Sequence, residues 1–233
     1  MALVLVLAES AIETVPNEIA GHPAVLNWAH RKRKDPHRLI LDQNYHFAAM
    51  QKLGRAGLHR GRPDIAHFCL LLALGSPLNM GGDLQCYIHT LQDRIIKVDS
   101  KARLPRNTDR WVSLLEQLYQ EKVVPPTGPA LLTLTQGTIA SLLDELKADL
   151  VVALTTEGEA RPMEAVAARL AAHKRPALLI GGFADGHFSK RTMGRVSESY
   201  RIERRKLEAW TVTARAIYDY ERATRAQQQP AQN

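Results

Sequence analysis

The residues best equipped for chemistry in this 233-residue chain are arginines. Arg62 and Asp64 stand two apart in Arg62-Pro63-Asp64-Ile65-Ala66-His67, and Arg103, Arg106 and Arg110 follow in Arg103-Leu104-Pro105-Arg106-Asn107-Thr108-Asp109-Arg110. A neighbouring carboxylate can hold a guanidinium in one orientation and leave its other donors for a phosphate. The alternative is a surface ion pair worth under about 1 kcal/mol. Spacings of three and four put Arg103, Arg106 and Arg110 on one face if the segment is helical. Such a face either reads phosphate or is simply solvated. Two loops come next. Gly181-Gly182-Phe183-Ala184-Asp185-Gly186 follows an apolar stretch, and Thr155-Thr156-Glu157-Gly158 follows another. Glycines at a strand end let the backbone bend and approach a ligand, a plain tight turn being the alternative. Two loops at the carboxyl ends of strands in one parallel sheet would lie where open α/β sheets bind ligands.

Other chemistries are poorly supplied. The glycine spacing is not that of a dinucleotide fingerprint, and the chain has no Walker loop. There is no nucleophile elbow and no Ser-His-Asp or Cys-His set with that support. His46, His67 and His89 are scattered among apolar residues without a second ligand at metal-binding spacing, so no metal site is expected. Cys69 and Cys86 lie in apolar runs and read as buried free thiols. No catalytic residue is assigned from the sequence.

The elements that must position these residues follow from hydrophobic period and breakers. Residues 1–8 form a continuous apolar run, the pattern of a strand buried on both faces. A helix over 23–34 ends in Arg31-Lys32-Arg33-Lys34, a cluster explained either by the helix dipole or by RNA. A short strand at 39–41, a helix over 44–53 and a mobile glycine-rich stretch over 54–61 lead to a helix over 63–74 with Pro63 in its first turn. Strands at 84–90 and 94–99 form a hairpin. Thr108 should cap a helix over 109–121 whose apolar face is Trp111, Leu114, Leu115 and Leu118. Pro125-Pro126-Thr127-Gly128-Pro129 reads as a linker. Beyond it, strands at 130–134, 150–154 and 177–180 alternate with helices over 138–146, 162–173 and 206–222, and Leu207, Trp210, Val212, Ala214 and Ile217 are candidates for burial. That alternation predicts a largely parallel sheet covered on both faces. Residues 226–233 read as a disordered tail.

Composition narrows the partners. Lys and Arg number 31 against 24 Asp and Glu, a formal charge of +7, which favours an anionic partner, nucleic acid first, over a mere solubility charge. No apolar run approaches the roughly 18 residues of a membrane span. The opening run lacks a basic flank and precedes Glu9, so a core strand is expected rather than a signal peptide, in a reducing cytoplasm.

At this point several ordered motifs coincide with a family. Arg62-Pro63-Asp64-Ile65-Ala66-His67, Ser76-Pro77-Leu78-Asn79, Tyr87-Ile88-His89-Thr90, Arg103-Leu104-Pro105-Arg106, the Gly181–Gly186 loop and Leu207-Glu208-Ala209-Trp210 resemble the SPOUT-class pseudouridine N1-methyltransferases of small-subunit ribosome biogenesis. The resemblance runs from the first strand to about Arg222. It implies an α/β fold with a deep trefoil knot in the C-terminal half and an inserted α/β elaboration. It also implies an obligate homodimer, S-adenosyl-L-methionine as methyl donor, and a pseudouridine in a small-subunit rRNA hairpin loop as substrate. A single methyltransferase domain would span 1–225, with an RNA-binding elaboration over 54–124 and a knotted cofactor-binding part over 130–222. Arg62, Arg103, Arg106 and Arg110 resemble the rRNA-contacting arginines, and Asp64 the residue that positions Arg62. Thr156, Gly181 and Gly186 resemble cofactor-loop positions. A third cofactor loop is implied at Ile202, Glu203, Arg204, Arg205, Lys206 and Leu207, where the chain departs from the commoner Tyr-Pro before the leucine; mostly backbone contacts would tolerate that change. The alternative is a non-catalytic rRNA-binding assembly factor that keeps the dimer and the basic groove.

Overall fold

The organising strand is β1 (Leu3–Ser10), buried along its whole length. In the computed structural model, which describes residues 2–228, it lies between two parallel neighbours, β2 (Leu84–Thr90) and β7 (Pro176–Gly181). Successive side chains of a strand point to opposite faces, and both faces of this one are covered. Leu3, Leu5 and Leu7 enter a large core, while Val4, Val6 and Ala8 enter a second core across the sheet. Each of these leucines and valines contributes roughly 1.5–3 kcal/mol relative to exposure, which explains an apolar run without alternation.

In chain order the helices are α1 (Asn17–Ala20), α2 (Pro23–Lys32), α3 (Gln43–Met50), α4 (Pro63–Leu74), α5 (Pro77–Met80), α6 (Thr108–Glu121), α7 (Ile139–Leu146), α8 (Met163–Ala171), α9 (Lys190–Met193) and α10 (Ala209–Gln228). The remaining strands are β3 (Arg94–Val98), β4 (Val123–Val124), β5 (Leu132–Gln136), β6 (Leu150–Ala160) and β8 (Glu198–Arg201). The sheet has eight strands in the order β4-β5-β3-β2-β1-β7-β6-β8. It is parallel from β2 through β1, β7 and β6 to β8, and antiparallel across β2-β3-β5-β4. The sheet is therefore mixed rather than largely parallel, because the hairpin β2-β3 and the return through β5 build its other half. Helices α4, α6, α8 and α10 cover one face, and α7 with the Phe183–Phe188 loop covers the other. A smaller cluster of Val15, Ile19, Val25, Leu39 and Met50 holds α1, α2 and α3 together. Among the described residues no helix is long and apolar enough to cross a membrane.

Local expectations meet several corrections. The proline-rich stretch after Val124 is no linker: it joins β4 to β5, which pair antiparallel. Asn107, not Thr108, caps α6, its side chain accepting from the Arg110 amide at 3.1 Å. The expected strand at 39–41 is reduced to a single bridge between Ile40 and Thr14. The stretch expected to be mobile lies largely in a 3-10 helix, Gln51–His59, kinked at Gly54. Helix α10 begins three residues later than expected and continues through residues 226–228, the start of the expected tail; residues 229–233 lie outside the described residues. Its buried positions are Thr213, Ala216, Ile217 and Tyr220, a helical stripe, with Asp219 beside them, and Ala214 is exposed.

Candidate active site

Strands β6 and β7 run parallel with Leu154 opposite Ile180. Their continuations, Thr155-Thr156 and Gly181-Gly182, therefore leave the sheet side by side. The expected loop at 155–158 is a bulge inside the long strand β6, since both Leu154 and Glu159 pair with Tyr200 of β8. Its return requires Gly158, where a Cβ would stand 2.5 Å from the Tyr200 amide nitrogen. Between the bulge, the Gly181 loop and the start of α10 lies a cleft of about 330 Å³. Thr156, Gly181, Gly186, Lys206 and Leu207 line it. A recess of about 90 Å³ shares Thr156 and Leu207 and is closed by Ile202, Glu203 and Arg205. The structure thus brings together all the expected cofactor residues except Arg204, which lines a shallow depression beside Arg161 and Pro162. Leu154, Ile180, Phe183, Ala209 and Val212 also form the walls. Leu154 and Ile180 had a readable signal, being the last residues of the apolar strands expected at 150–154 and 177–180.

The loop holds its shape through contacts spread along the chain. A Cβ on Gly182 would fall 2.0 Å from Ser10 Oγ and 2.8 Å from Ser10 Cα, and one on Gly181 would meet the Phe183 ring at 2.7 Å. Gly186 has φ +98°, a region side chains rarely adopt. Lys206 Nζ donates to the Ala184 carbonyl at 2.8 Å and to Asp185 Oδ1 at 2.7 Å, so the third segment clamps the second. The Lys206 ammonium, then the Gly186 amide, hold the Asp185 carboxyl below its usual range. The far end of the loop is anchored on Glu9, at the end of β1 with φ +52°. Its buried carboxylate accepts from the Ser189 amide at 3.1 Å, and from Ser189 Oγ and Thr192 Oγ1 at 2.5 Å each. The Glu9 amide donates to His89 Nδ1 at 3.3 Å. His89 is fully buried and burial lowers its pKa, so the neutral ring carries its proton on Nε2, 3.0 Å from Asp93.

The arginine segments meet at two helix starts. Arg62 precedes α4 and Pro63 occupies its first turn. Asp64 accepts from Arg62 Nε at 2.9 Å and Nη2 at 2.8 Å. That bidentate bond, more than any other contact, keeps Arg62 charged, and three of its five N–H donors remain for a ligand. Ile65, the next residue, lines the cleft, so the Arg62–Asp64 clamp stands at its rim. Two buried rings tie α6 to this point. The Trp111 indole donates to the Pro63 carbonyl at 3.0 Å, and His67 Nε2 meets the Pro105 carbonyl at 2.6 Å. The rings themselves lie nearly parallel, 5.3 Å apart. Arg103 and Arg106 sit on the loop so anchored and Arg110 in the first turn of α6, all three exposed. The condition for one shared helical face is not met, since only Arg110 is helical. None of the three makes an ion pair among the described residues. Nor, among those residues, does any group of three or more His, Cys, Asp or Glu stand ready to hold a metal ion.

A small-ligand cleft lies at the carboxyl ends of parallel strands, with the Arg62–Asp64 pair next in sequence to its Ile65 wall and three exposed arginines on the segment anchored to the start of α4. The family model described as EMG1/NEP1 methyltransferase matches residues 5–221, and the chain belongs to that family. It is 42% identical over 217 residues to the ribosomal RNA small subunit methyltransferase Nep1 of Pyrococcus furiosus, covering 93% of this chain and 95% of the relative. Its identity to the Thermococcus kodakarensis protein of the same description is 40%, covering 94% and 97%. Among solved structures it resembles Archaeoglobus fulgidus Nep1 bound to S-adenosylhomocysteine, with a TM-score of 0.84 and 32% identity, covering 96% of this chain and 99% of that one.

Proposed function

We propose that the chain is an S-adenosylmethionine-dependent methyltransferase that methylates N1 of a pseudouridine in a small-subunit rRNA hairpin loop during ribosome biogenesis. One observation carries this reading: Ile65, which lines the cleft, follows directly in α4 on the Arg62–Asp64 clamp. The cleft suits the methyl donor. Its volume falls within the roughly 300–1,000 Å³ of small-molecule sites. Leu154, Ile180, Leu207 and Val212 supply apolar walls, Thr155 and Thr156 supply hydroxyls, and Gly181 and Gly186 leave the main chain uncovered. Thr156, Gly181, Gly186 and residues 202–207 would hold the donor, Arg204 contributing at most main-chain groups.

The donor supplies, when bound, a methyl group on a sulfonium. Everything else falls to this chain. Pseudouridine joins ribose through carbon, so its N1 is free, whereas N1 of uridine is occupied; the bond formed selects the substrate. As N1 takes the methyl, the donor's sulfonium would be left as a neutral thioether and the N1 proton would pass to solvent at the open mouth of the cleft, while the positive charge that Asp64 fixes on Arg62 favours the electron-rich base. Arg103, Arg106 and Arg110 hold the loop phosphates, so the splayed base enters the cleft in line. The apolar walls exclude water from the transfer.

The same reading includes a homodimer and a threaded C-terminal half. Phe68 and Leu72, one turn apart on α4, are 39% and 44% exposed, and Tyr218 of the adjoining α10 is 60% exposed, an apolar face suited to a second copy. Strand β8 pairs with β6 on the side away from β7, and Lys206 clasps the loop that leaves β7. Such a path is compatible with a trefoil knot.

Labelled S-adenosylmethionine with two hairpins, identical except for pseudouridine or uridine at one loop position, tests the reaction. Transfer to the pseudouridine hairpin alone is expected. RNA binding with neither transfer nor donor binding by calorimetry would replace this reading with that of an RNA-holding assembly factor.

A further inference from the structure

The basic end of α2 is absorbed by nothing described so far. Residues 30–38 carry five cations, Arg31, Lys32, Arg33, Lys34 and Arg38, against the single carboxylate of Asp35. The helix dipole explains part of this, because cations stabilise a last turn, but the effect fades beyond that turn. Arg33 is already the C-cap, with φ 52°, and Arg38 lies past the helix. Lys34 has a structural task, bonding at 2.5 Å to Glu116 of α6, which is itself buried. Arg31, Arg33 and Arg38 are exposed and make no ion pair among the described residues.

This cluster is physically continuous with the arginines of the rim. Asp109, next to Arg110, accepts from Tyr45 Oη at 2.6 Å. Tyr45 stacks on Trp28 with centroids 3.6 Å apart and an angle of 11°. Lys32 Nζ sits 4.9 Å from the centroid of the Trp28 ring. A chain of contacts thus leads from Arg110 through Asp109, Tyr45 and Trp28 to Lys32, while Lys34–Glu116 fastens the same helix end lower on α6. Tyr45 remains a protonated donor, since the bond to Asp109 pushes its phenol up to about 12.

We propose that Arg31, Arg33 and Arg38 form a second RNA-docking surface, which takes the phosphate backbone of the paired stem flanking the loop that Arg103, Arg106 and Arg110 hold. This rests on the rRNA reading above and extends it to a part of the substrate outside the loop. The surface reads charge rather than bases. Tyr45 covers one face of Trp28 and Lys32 lies over the ring, so no base stacks there without displacing one of them. Double-stranded RNA is recognised in this way, by its phosphates and shape.

The test uses the full chain with Arg31→Ala, Arg33→Asn and Arg38→Ala combined; asparagine tolerates the left-handed backbone at position 33. Two hairpins share one loop and differ only in stem length, one stopping short of α2. The unaltered protein should bind the longer stem more tightly. The triple variant should lose about tenfold or more on the long stem alone, and its salt slope there should fall by roughly two to three. Donor binding by calorimetry should be unchanged, which shows the variant folded. Scrambling the stem sequence with pairing kept should leave the long-stem advantage intact. Equal affinity of variant and parent for the long stem, an equal loss on both stems, or dependence on stem sequence would overturn the proposal. Failure of the unaltered protein to bind either hairpin would overturn the rRNA reading itself.

Discussion

The two functional regions are built on opposite plans. The cleft is made of main chain and apolar strand ends, and its shape depends on where side chains are missing, at Gly158, Gly181 and Gly182. The rim is made of long charged side chains, and its shape depends on buried rings, His67 and Trp111, which lock two helix starts together. A site built from main chain tolerates exchange of its exposed residues but not an added Cβ. A site built from side chains behaves in the reverse way.

Substitutions at each region should therefore separate cleanly, and the largest effect belongs to the cleft. Gly182→Val puts a side chain into the Ser10 backbone, and misplacing the loop by about 1 Å should cost roughly 100-fold or more in methyl transfer, with donor affinity falling as well. RNA affinity should change far less; an equal loss of both would mean that the regions form one unit. Gly181→Val should act by displacing Phe183, so calorimetry showing normal donor binding would remove the packing argument. At the rim, Arg62→Ala should weaken hairpin binding by roughly 10- to 100-fold, with donor binding unchanged in the same titration. Arg106→Ala should lower affinity less and reduce the salt slope by about one. Identical affinities at two salt concentrations would take Arg106 off the RNA surface.

A separate effect concerns the scaffold, which lies outside both regions. Burial pushes the His46 imidazole down to about 4 from an ordinary 6.5. Between these values the unfolded chain holds the extra proton, so this contribution is complete above about 6.5 and is lost as pH falls toward 4. The steepest slope is about 1.4 kcal/mol per pH unit. His46→Gln keeps an acceptor for the Asp42 amide that His46 Nδ1 now bonds, and should flatten the melting temperature between pH 4 and 6.5. An unchanged profile would place the titration elsewhere.

The same contrast explains what the chain disclosed in advance. The rim was legible in Arg62 and Asp64, because a side-chain pair two residues apart is written in the sequence and recurs as a bidentate bond. The link from α4 to α6 was not, since Trp111 and His67 reach carbonyls 48 and 38 residues away and look like ordinary core residues. Strand β1 was legible from its unbroken apolar run. Strand β8 was not: Glu198–Arg201 is half-exposed at a sheet edge and has no apolar period. The bulge in β6 looked like a loop, because only pairing to Tyr200 on both sides reveals a strand that continues. Residues 202–207 were placed by resemblance alone. Five of the six reach the cleft or its recess, although no local pattern marks them.

Glu9 has a consequence for the order in which the molecule is made. The left-handed turn that ends the first strand is secured by hydroxyls and an amide some 180 residues further on. Neither flanking partner of that strand, β2 or β7, exists when it leaves the ribosome. At ordinary rates of synthesis the interval before Ser189 emerges is on the order of ten seconds. Throughout it, eight residues that end up fully buried must be kept from other chains. The strand at the centre of the finished sheet is therefore among the last to find its complete set of neighbours.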